Sequence, residues 1–219
     1  MDGNGRWARQ RHRPRAAGHQ AGVRAAREVV RVCRDRKVEV LTLFAFSQEN
    51  WQRPANEVGL LMELFVRTLG REIESLHRNE VRIRFIGDHA PFPPRLRELM
   101  QKAEARTAGN GRLTLAIAAG YGGQWDILQA ARAVCAAGEP FSAANLEARL
   151  NTFGLPHPDL LIRTGGERRI SNFLIWQMAY AELYFTDTLW PDFREADFDA
   201  ALAWYAGRDR RFGRVAEQA

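Results

Sequence analysis

The chain has 219 residues, a formal net charge of +6 and 46% hydrophobic residues. This length and composition suit one ordinary domain with a full apolar core, and we predict a single domain over residues 1–219. No apolar run approaches the ~20 residues that span a bilayer and no signal peptide is visible, which predicts a cytoplasmic protein.

Hydrophobic periodicity predicts alternating helices and strands along the chain. Val23, Ala26, Val30 and Cys33 step by three and four, which predicts a helix over 18–36. The apolar run over 38–46 predicts a strand covered on both faces. The further predicted elements are a helix over 58–76, a strand over 81–86, a helix over 94–107, a strand over 113–119, helices over 124–137 and 143–150, strands over 160–163 and 183–185, and a helix over 196–206. This alternation is typical of a single, mainly parallel sheet flanked by helices, with ligands bound beyond the carboxyl ends of its strands.

The N-terminal segment Asp2-Gly3-Asn4-Gly5-Arg6-Trp7 places a carboxylate before two glycines and an arginine. Glycines let backbone N–H groups approach an anion closely, and a following helix N-terminus favours negative charge. Residues 1–37 carry eleven Lys or Arg against three Asp or Glu. A basic block of this kind is usually a solvated face or a nucleic-acid patch, but beside an anion loop it favours a diphosphate pocket, and we expect no nucleic acid.

A second anion motif spans Arg163-Thr164-Gly165-Gly166-Glu167-Arg168-Arg169-Ile170-Ser171. Its arginines and serine surround a Gly-Gly turn, and the planar guanidinium is suited to phosphate oxygens. Two phosphate cradles with Asp2 beside one of them indicate an enzyme that handles two phosphorylated substrates and a divalent metal. The alternative for Asp2 is a helix N-cap. Cys33 and Cys135 are predicted to be buried small hydrophobes, and the histidines show no zinc-ligand spacing.

Five co-linear blocks of the sequence, together covering most of its length, resemble the cis-prenyltransferases and, within them, the bacterial undecaprenyl diphosphate synthases. The blocks lie at residues 1–7, 15–19, 44–54, 163–177 and 181–193. The chain has no aspartate-rich D-D-x-x-D motif of the trans-acting prenyl synthases, which is in keeping with the cis family.

The resemblance implies repeated cis-condensation of isopentenyl diphosphate onto an allylic diphosphate such as farnesyl diphosphate. The implied product is a long-chain polyprenyl diphosphate, undecaprenyl diphosphate, the lipid carrier precursor for the cell wall. It further implies Mg²⁺, a homodimer, and peripheral membrane contact for product release. A short- or medium-chain synthase and a non-catalytic partner subunit are the alternatives. The catalytic residues that we carry over argue against a silent subunit.

The resemblance also assigns roles to individual residues. Asp2 and Asn50 are the implied catalytic residues, and Asp2 with Glu182 the implied metal ligands. A carboxamide is a very weak base, so we expect Asn50 to orient substrate or water, while diphosphate, Asp2 or Ser47 takes the proton. The implied substrate-binding residues are Gly3, Asn4, Gly5, Arg6, Trp7, Arg15, His19, Ser47, Gln48, Glu49, Trp51, Arg53, Arg163, Arg169, Ile170, Ser171 and, in a tail that reaches the neighbouring subunit, Gly213.

Among these, the residues from Gly3 to Arg6, with Arg15 and His19, are expected to cradle the allylic diphosphate. Arg163, Arg169 and Ser171 are expected to cradle isopentenyl diphosphate. Trp51 could equally be ordinary core packing, and Glu182 could be a buried acid paired with an arginine.

Some features depart from the family pattern. Arg168 stands where the family often has His or Gln, and Gln48 replaces a small hydroxyl residue. Gly120 and Gln124 replace an amide and a guanidinium, for which we expect altered loop hydrogen bonding without loss of chemistry. The family's apolar strand ahead of the first block is missing from this sequence. An apolar product tunnel is expected beside the strand that contains Ala45, with Leu113 at its floor.

Overall fold

The computed structural model describes residues 1–209. The α-helices within this part of the chain are α1 Asn4–Gln10, α2 Arg15–Asp35, α3 Ala55–Arg78, α4 Pro94–Thr107, α5 Gly123–Ala136, α6 Ala143–Glu147 and α7 Glu195–Ala206. The strands are β1 Val40–Ser47, β2 Val81–Ile86, β3 Leu113–Tyr121, β4 Leu160–Arg163 and β5 Glu182–Phe185, and 3-10 helices cover Gln48–Gln52 and Trp190–Asp192. Each element predicted from periodicity is present, and most boundaries agree within three residues.

The strands alternate their side chains between two covered faces. Val81, Ile83, Leu113 and Leu115 point to one face, where they pack against apolar residues of α2, α3 and α4. Ile86 and Ala118 lie on the opposite face with Phe173, Leu174 and Met178. Because both faces are covered, the strands are apolar throughout, as expected of a parallel sheet.

All strand pairs are parallel, which confirms the predicted α/β class, but the strands form two ladders instead of one. One sheet has the order β1-β3-β2 and the other joins β4 to β5. A cavity of about 690 Å³ lies between β1 and β4, lined by residues 40–44 of one and 160–163 of the other. We call this cavity the inter-sheet cleft. The sheet is divided here because no strand among residues 1–209 pairs with the facing edges of β1 and β4.

A buried carboxylate joins three segments beside the second sheet. The Asp126 side chain is fully buried, and its Oδ1 accepts from the Asn151 backbone N–H at 3.0 Å. Its Oδ2 accepts from the Tyr121 hydroxyl at 2.9 Å and from Gln177 Nε2 at 3.3 Å. A buried carboxylate is tolerated when donors surround it, so this network holds α5, the 151 loop and the segment around 177 together.

The cysteine prediction is correct for Cys33, which is buried, and wrong for Cys135, which is exposed at the end of α5. The reason is that Val134 turns inward on that helix, which leaves its neighbour on the outer surface. Across residues 1–209, no helix is both long enough and apolar enough to cross a bilayer.

Candidate active site

Asp2 is fixed against the end of β4 by backbone contacts. The Asp2 N–H donates to the Thr164 hydroxyl at 3.0 Å, and the same hydroxyl donates to the Asp2 carbonyl at 3.0 Å. The Trp190 N–H donates to that carbonyl at 2.9 Å. Thr164 is almost fully buried, so its hydroxyl is committed to Asp2. Thr164 was not among the predicted site residues, because its role depends on a contact 162 positions away.

The Asp2 carboxylate is surrounded by donors but stays accessible. Its Oδ1 accepts from the Gly3 N–H at 2.7 Å and lies 3.6 Å from the Arg6 guanidinium, while Oδ2 accepts from Arg163 at 3.1 Å. Partial burial opposes ionisation, but the hydrogen bonds from Arg163 and Gly3 and the nearby cationic charges outweigh it and lower the pKa of Asp2. The side chain is 40% exposed. It is therefore an ionised oxygen ligand that a cation or substrate can reach.

Arg163 links Asp2 to the second predicted cradle. Besides Asp2, its guanidinium donates to Ser171 Oγ at 2.7 Å and to the Arg169 backbone carbonyl. Arg169 forms an ion pair with Glu167 at 2.5 Å, and Arg6 lies 3.8 Å from the same carboxylate. Glu167, which was not among the predicted site residues, balances the charge of these arginines.

The first two blocks meet through close helix packing. A Cβ at Gly18 would lie 2.0 Å from the Asn4 carbonyl, and one at Gly22 would lie 2.3 Å from Asn4 Oδ1. Glycine is therefore required at both positions for α1 to approach α2. The Arg15 guanidinium also lies close to Gly5, because a Cβ on Gly5 would be 3.4 Å from Arg15 Nε. Within residues 1–209, Asn4 Oδ1 is buried without a hydrogen-bond partner.

A cluster around Glu57 adjoins these residues. Glu57 pairs with Arg15 at 3.3 Å and with Arg53 at 3.0 Å. His19 is half-buried beside them, and burial, reinforced by the charges of Arg53 and Arg15, lowers its pKa. Its Nε2 is buried and has no hydrogen-bond partner in the described part of the chain. Glu57, like Glu167, was not among the predicted site residues.

The third block lies just beyond β1, as predicted. Asn50 Oδ1 accepts from the Ser47 N–H at 3.1 Å, and the two residues cap the 3-10 helix reciprocally. Trp51 packs on Phe46 and Phe92, with ring centroids 4.9 and 5.3 Å away, which supports its core-packing interpretation. Gln48 lies near Gly122 in the loop that precedes α5, and Glu49 accepts a hydrogen bond from Asn172, the residue after Ser171.

The mouth of the inter-sheet cleft collects predicted residues from three blocks. Eight of them line this one cavity: Asp2, Ser47, Asn50, Arg53, Arg163, Arg169, Ile170 and Ser171. They come from the start of the chain, from the end of β1 and from the turn after β4. The fold therefore brings together residues that are scattered in the sequence between Asp2 and Ser171.

Other predicted residues lie elsewhere. Glu182 pairs in register with Leu160, three residues before Arg163 and hence roughly 10 Å along the strand, and it forms an ion pair with Arg208 at 3.3 Å. The pairing agrees with the alternative interpretation of Glu182 as an acid held by an arginine. Trp7 is buried and donates to Asp192 at 2.7 Å, so it anchors α1. Gly213 lies outside the described residues.

The departures from the family pattern have structural correlates in two loops. Gly120 has φ +67°, and a Cβ there would lie 2.3 Å from the Asp88 carbonyl, so the loop is built around glycine. The Gln124 backbone N–H donates to the Asn172 side chain at 2.9 Å, while Arg168 is exposed. Among residues 1–209, no group of three or more His, Cys, Asp or Glu side chains converges as a metal site.

A second cavity of about 480 Å³ lies between α2, α3 and the three-stranded sheet. We call it the helix-side cavity. Its walls are mostly apolar and include Ala45, Leu64 and Phe65, with Asn4 and His19 also lining it. Leu113 does not line it but packs beyond Val81 and Leu115 in the adjoining core.

Comparison with known proteins gives consistent matches over nearly the whole chain. The prenyltransferase family model described as "Putative undecaprenyl diphosphate synthase" matches residues 1–213. A ditrans,polycis-undecaprenyl-diphosphate synthase ((2E,6E)-farnesyl-diphosphate specific) of Pseudomonas syringae pv. tomato is 58% identical, over 100% of this chain and 90% of its own length.

Two solved structures are similar in fold. A lavandulyl diphosphate synthase from Lavandula x intermedia, in complex with dimethylallyl diphosphate, gives a TM-score of 0.93 at 35% identity, over 97% of this chain and 95% of the other. A probable undecaprenyl diphosphate synthase from Campylobacter jejuni gives 0.82 at 35% identity, over 89% and 93%.

Proposed function

Because the chain belongs to the undecaprenyl diphosphate synthase family of prenyltransferases, and is thus an enzyme that transfers prenyl groups, we propose that it condenses isopentenyl diphosphate repeatedly onto farnesyl diphosphate. The condensation has cis geometry and gives undecaprenyl diphosphate. This product is the lipid carrier precursor for the cell wall.

The convergence of eight predicted residues on the mouth of the inter-sheet cleft carries the proposal. Arg163 donates there to both the Ser171 hydroxyl and the ionised Asp2 carboxylate, and Arg53 and Arg169 line the same cavity. Such a set suits diphosphate oxygens, because guanidinium groups bind them in bidentate fashion and hydroxyls add single bonds.

The two diphosphates take different cradles in this proposal. The allylic diphosphate binds at Gly3–Arg6, the start of α1, with Arg15 and His19, where Asn4 and His19 carry buried polar atoms free of partners within residues 1–209. Isopentenyl diphosphate binds at Arg163, Arg169 and Ser171. Arg163 contacts both Asp2 and Ser171, so the two cradles share a wall.

Mg²⁺ fits the Asp2 position. Enzymes that handle phosphorylated substrates usually hold this ion with one or two carboxylates and the phosphate oxygens themselves. Asp2 offers one ionised, accessible carboxylate beside the proposed diphosphate positions. When bound, the ion would stabilise the negative charge on the departing diphosphate. A contribution from Glu182 stays a prediction.

In the proposed reaction, the C–O bond between the allylic carbon and its diphosphate breaks, and the diphosphate leaves with the electron pair. The π electrons of isopentenyl diphosphate then form the new C–C bond, and one proton is lost to restore the double bond. Arg6, Arg15 and Arg163 stabilise the charged groups, and holding both substrates in contact removes much of the entropic barrier. Asn50, whose side chain is fixed by Ser47, orients substrate or water.

We propose the helix-side cavity as the product tunnel. It begins beside Asn4 and His19 and runs between α2 and α3, so a growing chain could extend away from the allylic cradle. Ala45 lies on its wall, where a methyl side chain leaves space. The predicted homodimer, the peripheral membrane contact for product release and the cytoplasmic location stay predictions.

Incorporation of radiolabelled isopentenyl diphosphate with farnesyl diphosphate and Mg²⁺, with products separated by chromatography, tests the proposal. A ladder ending at the undecaprenyl length is expected. A single short product would favour the alternative of a short-chain synthase. The chain is also similar in structure to a lavandulyl diphosphate synthase. No incorporation by the chain alone would favour the non-catalytic partner subunit.

A further inference from the structure

The turn after β4 has an unusual backbone. Ser171, Asn172 and Leu174 have φ values of 48°, 60° and 40°, in the left-handed region that most residues avoid. Asparagine is among the residues that tolerate this conformation best. At this turn the Ser171 hydroxyl accepts from Arg163, while the Asn172 side chain bonds to Gln124 and Glu49.

Asn172 joins two other segments at this turn. Its backbone carbonyl accepts from the Gly123 N–H at 2.6 Å, and its Oδ1 accepts from the Gln124 N–H at 2.9 Å. Its Nδ2 donates to Glu49 Oε1 at 2.8 Å. A backbone N–H can only donate, so the amide oxygen must face Gln124 and the amide nitrogen must face the Glu49 carboxylate. The orientation of the side chain is therefore determined at both ends.

These contacts connect the two halves of the site. Glu49 belongs to the same 3-10 helix as Asn50, and Ser171 is the immediate neighbour of Asn172. Partial burial opposes ionisation of Glu49, but the hydrogen bond from Asn172 helps to lower the pKa of that carboxyl overall. The charge-assisted bond thus ties the segment that carries Asn50 to the turn that carries the Arg163 partner.

We propose that Asn172 is a positioning residue that sets the separation between Asn50 and the anion-binding group of Arg163, Arg169 and Ser171. This inference rests on the proposed function, because it assigns that group to isopentenyl diphosphate. Asn172 acts through Glu49 and through the N-terminus of α5, and it does not contact substrate.

The test is a polarity swap between Asn172 and Glu49. Asn172→Asp keeps an oxygen for the Gln124 N–H but turns a second oxygen toward the Glu49 carboxylate. Glu49→Gln alone keeps an acceptor for Asn172. In the double variant, the amide of the introduced glutamine can donate to the carboxylate of the introduced aspartate and restore the bond with reversed direction. Asn145→Asp, which loses a bond from α6 to the Pro140 carbonyl, is the matched control.

Loss of a charge-assisted bond predicts that Asn172→Asp lowers kcat/KM for isopentenyl diphosphate about 10-fold or more. The KM for the allylic diphosphate and the melting temperature should stay close to wild type, and the double variant should recover most of the activity. A drop that follows the melting temperature and is not rescued by the swap would mean a purely structural role and would overturn the proposal.

Two further measurements keep the test decisive. If Asn172→Asp does not fold, Glu49→Ala removes the same bond without touching the turn, and wild-type kinetics in that variant would overturn the proposal. Calorimetric binding of inorganic pyrophosphate is read in parallel. If the wild type incorporates no isopentenyl diphosphate, the proposed function fails, yet pyrophosphate binding that weakens in Asn172→Asp and returns in the swap still supports the positioning role. Equal pyrophosphate binding in all variants, or none in the wild type, would refute it.

Discussion

Replacing Asp2 with alanine should abolish most turnover while leaving the fold intact. The carboxylate is the only acidic group that both contacts Arg163 and lines the mouth of the inter-sheet cleft among the residues we assign to the site. Removal of one preorganised electrostatic partner typically costs ~10²–10³ in rate, and loss of a metal ligand can cost more. We therefore expect kcat to fall by at least ~10².

The expected effect on stability is small. The Asp2 side chain is 40% exposed, and its ion pairs with Arg163 and Arg6 are 3.1 and 3.6 Å long. The pair with Arg6 is exposed and contributes about 0–1 kcal/mol, and the bond to the Gly3 N–H contributes about 1 kcal/mol. Arg163 is only 13% exposed, but it keeps its bonds to Ser171 and to the Arg169 carbonyl when the Asp2 carboxylate is removed. For a chain of this size, a loss of about 1 kcal/mol lowers the melting temperature by about 2–4 °C. Activity and stability should thus separate clearly.

The assay is steady-state incorporation of labelled isopentenyl diphosphate at saturating Mg²⁺, with thermal unfolding measured on the same samples. Asp35→Ala is the matched control, because Asp35 also pairs with two arginines but lies at the far end of α2. The control should keep full activity, and EDTA should silence the native enzyme. The smallest loss of rate that we expect is about 100-fold. If the activity of the Asp2→Ala protein falls by less than about tenfold, the reasoning is refuted.

Three further predictions concern substrate choice, product length and stability. Arg163→Ala should chiefly raise the KM for isopentenyl diphosphate and Arg15→Ala the KM for the allylic diphosphate; equal effects of both variants on both KM values would contradict the two-cradle division. Ala45→Leu should shorten the products seen by chromatography, at a cost of ~1–3 kcal/mol from overpacking; unchanged product lengths in the folded variant would remove the tunnel assignment. An apolar strand fused ahead of Met1 should enter the inter-sheet cleft and raise the melting temperature, since each side chain it buries contributes ~1.5–3 kcal/mol. A polar extension of equal length should leave the melting temperature unchanged. Equal melting temperatures for the two extended proteins would show that the cleft does not accept a strand.

The sequence by itself predicted most of the secondary structure and the α/β class, and through the family resemblance it nominated the candidate site residues. Helices and strands are set by short-range periodicity, so the steps from Val23 to Cys33 and the boundaries of β2, α4 and β4 could be read without a structure. The candidate site residues were nominated through the resemblance of five sequence blocks to a known family, and their roles stay predictions. The same periodicity could not place Cys135, whose exposure depends on how α5 is rotated against its neighbours.

The tertiary structure alone decided which of these residues act together. The bonds of Thr164 to Asp2 and of Asn172 to Glu49 span 162 and 123 positions, and no local pattern encodes such a pairing. Likewise, the division of the strands into two ladders follows from which edges meet in space, and the separation of Glu182 from Asp2 follows from the register of β5 on β4. Long-range contacts depend on the packing of whole elements, and for that reason the site became visible as one unit only in the folded chain.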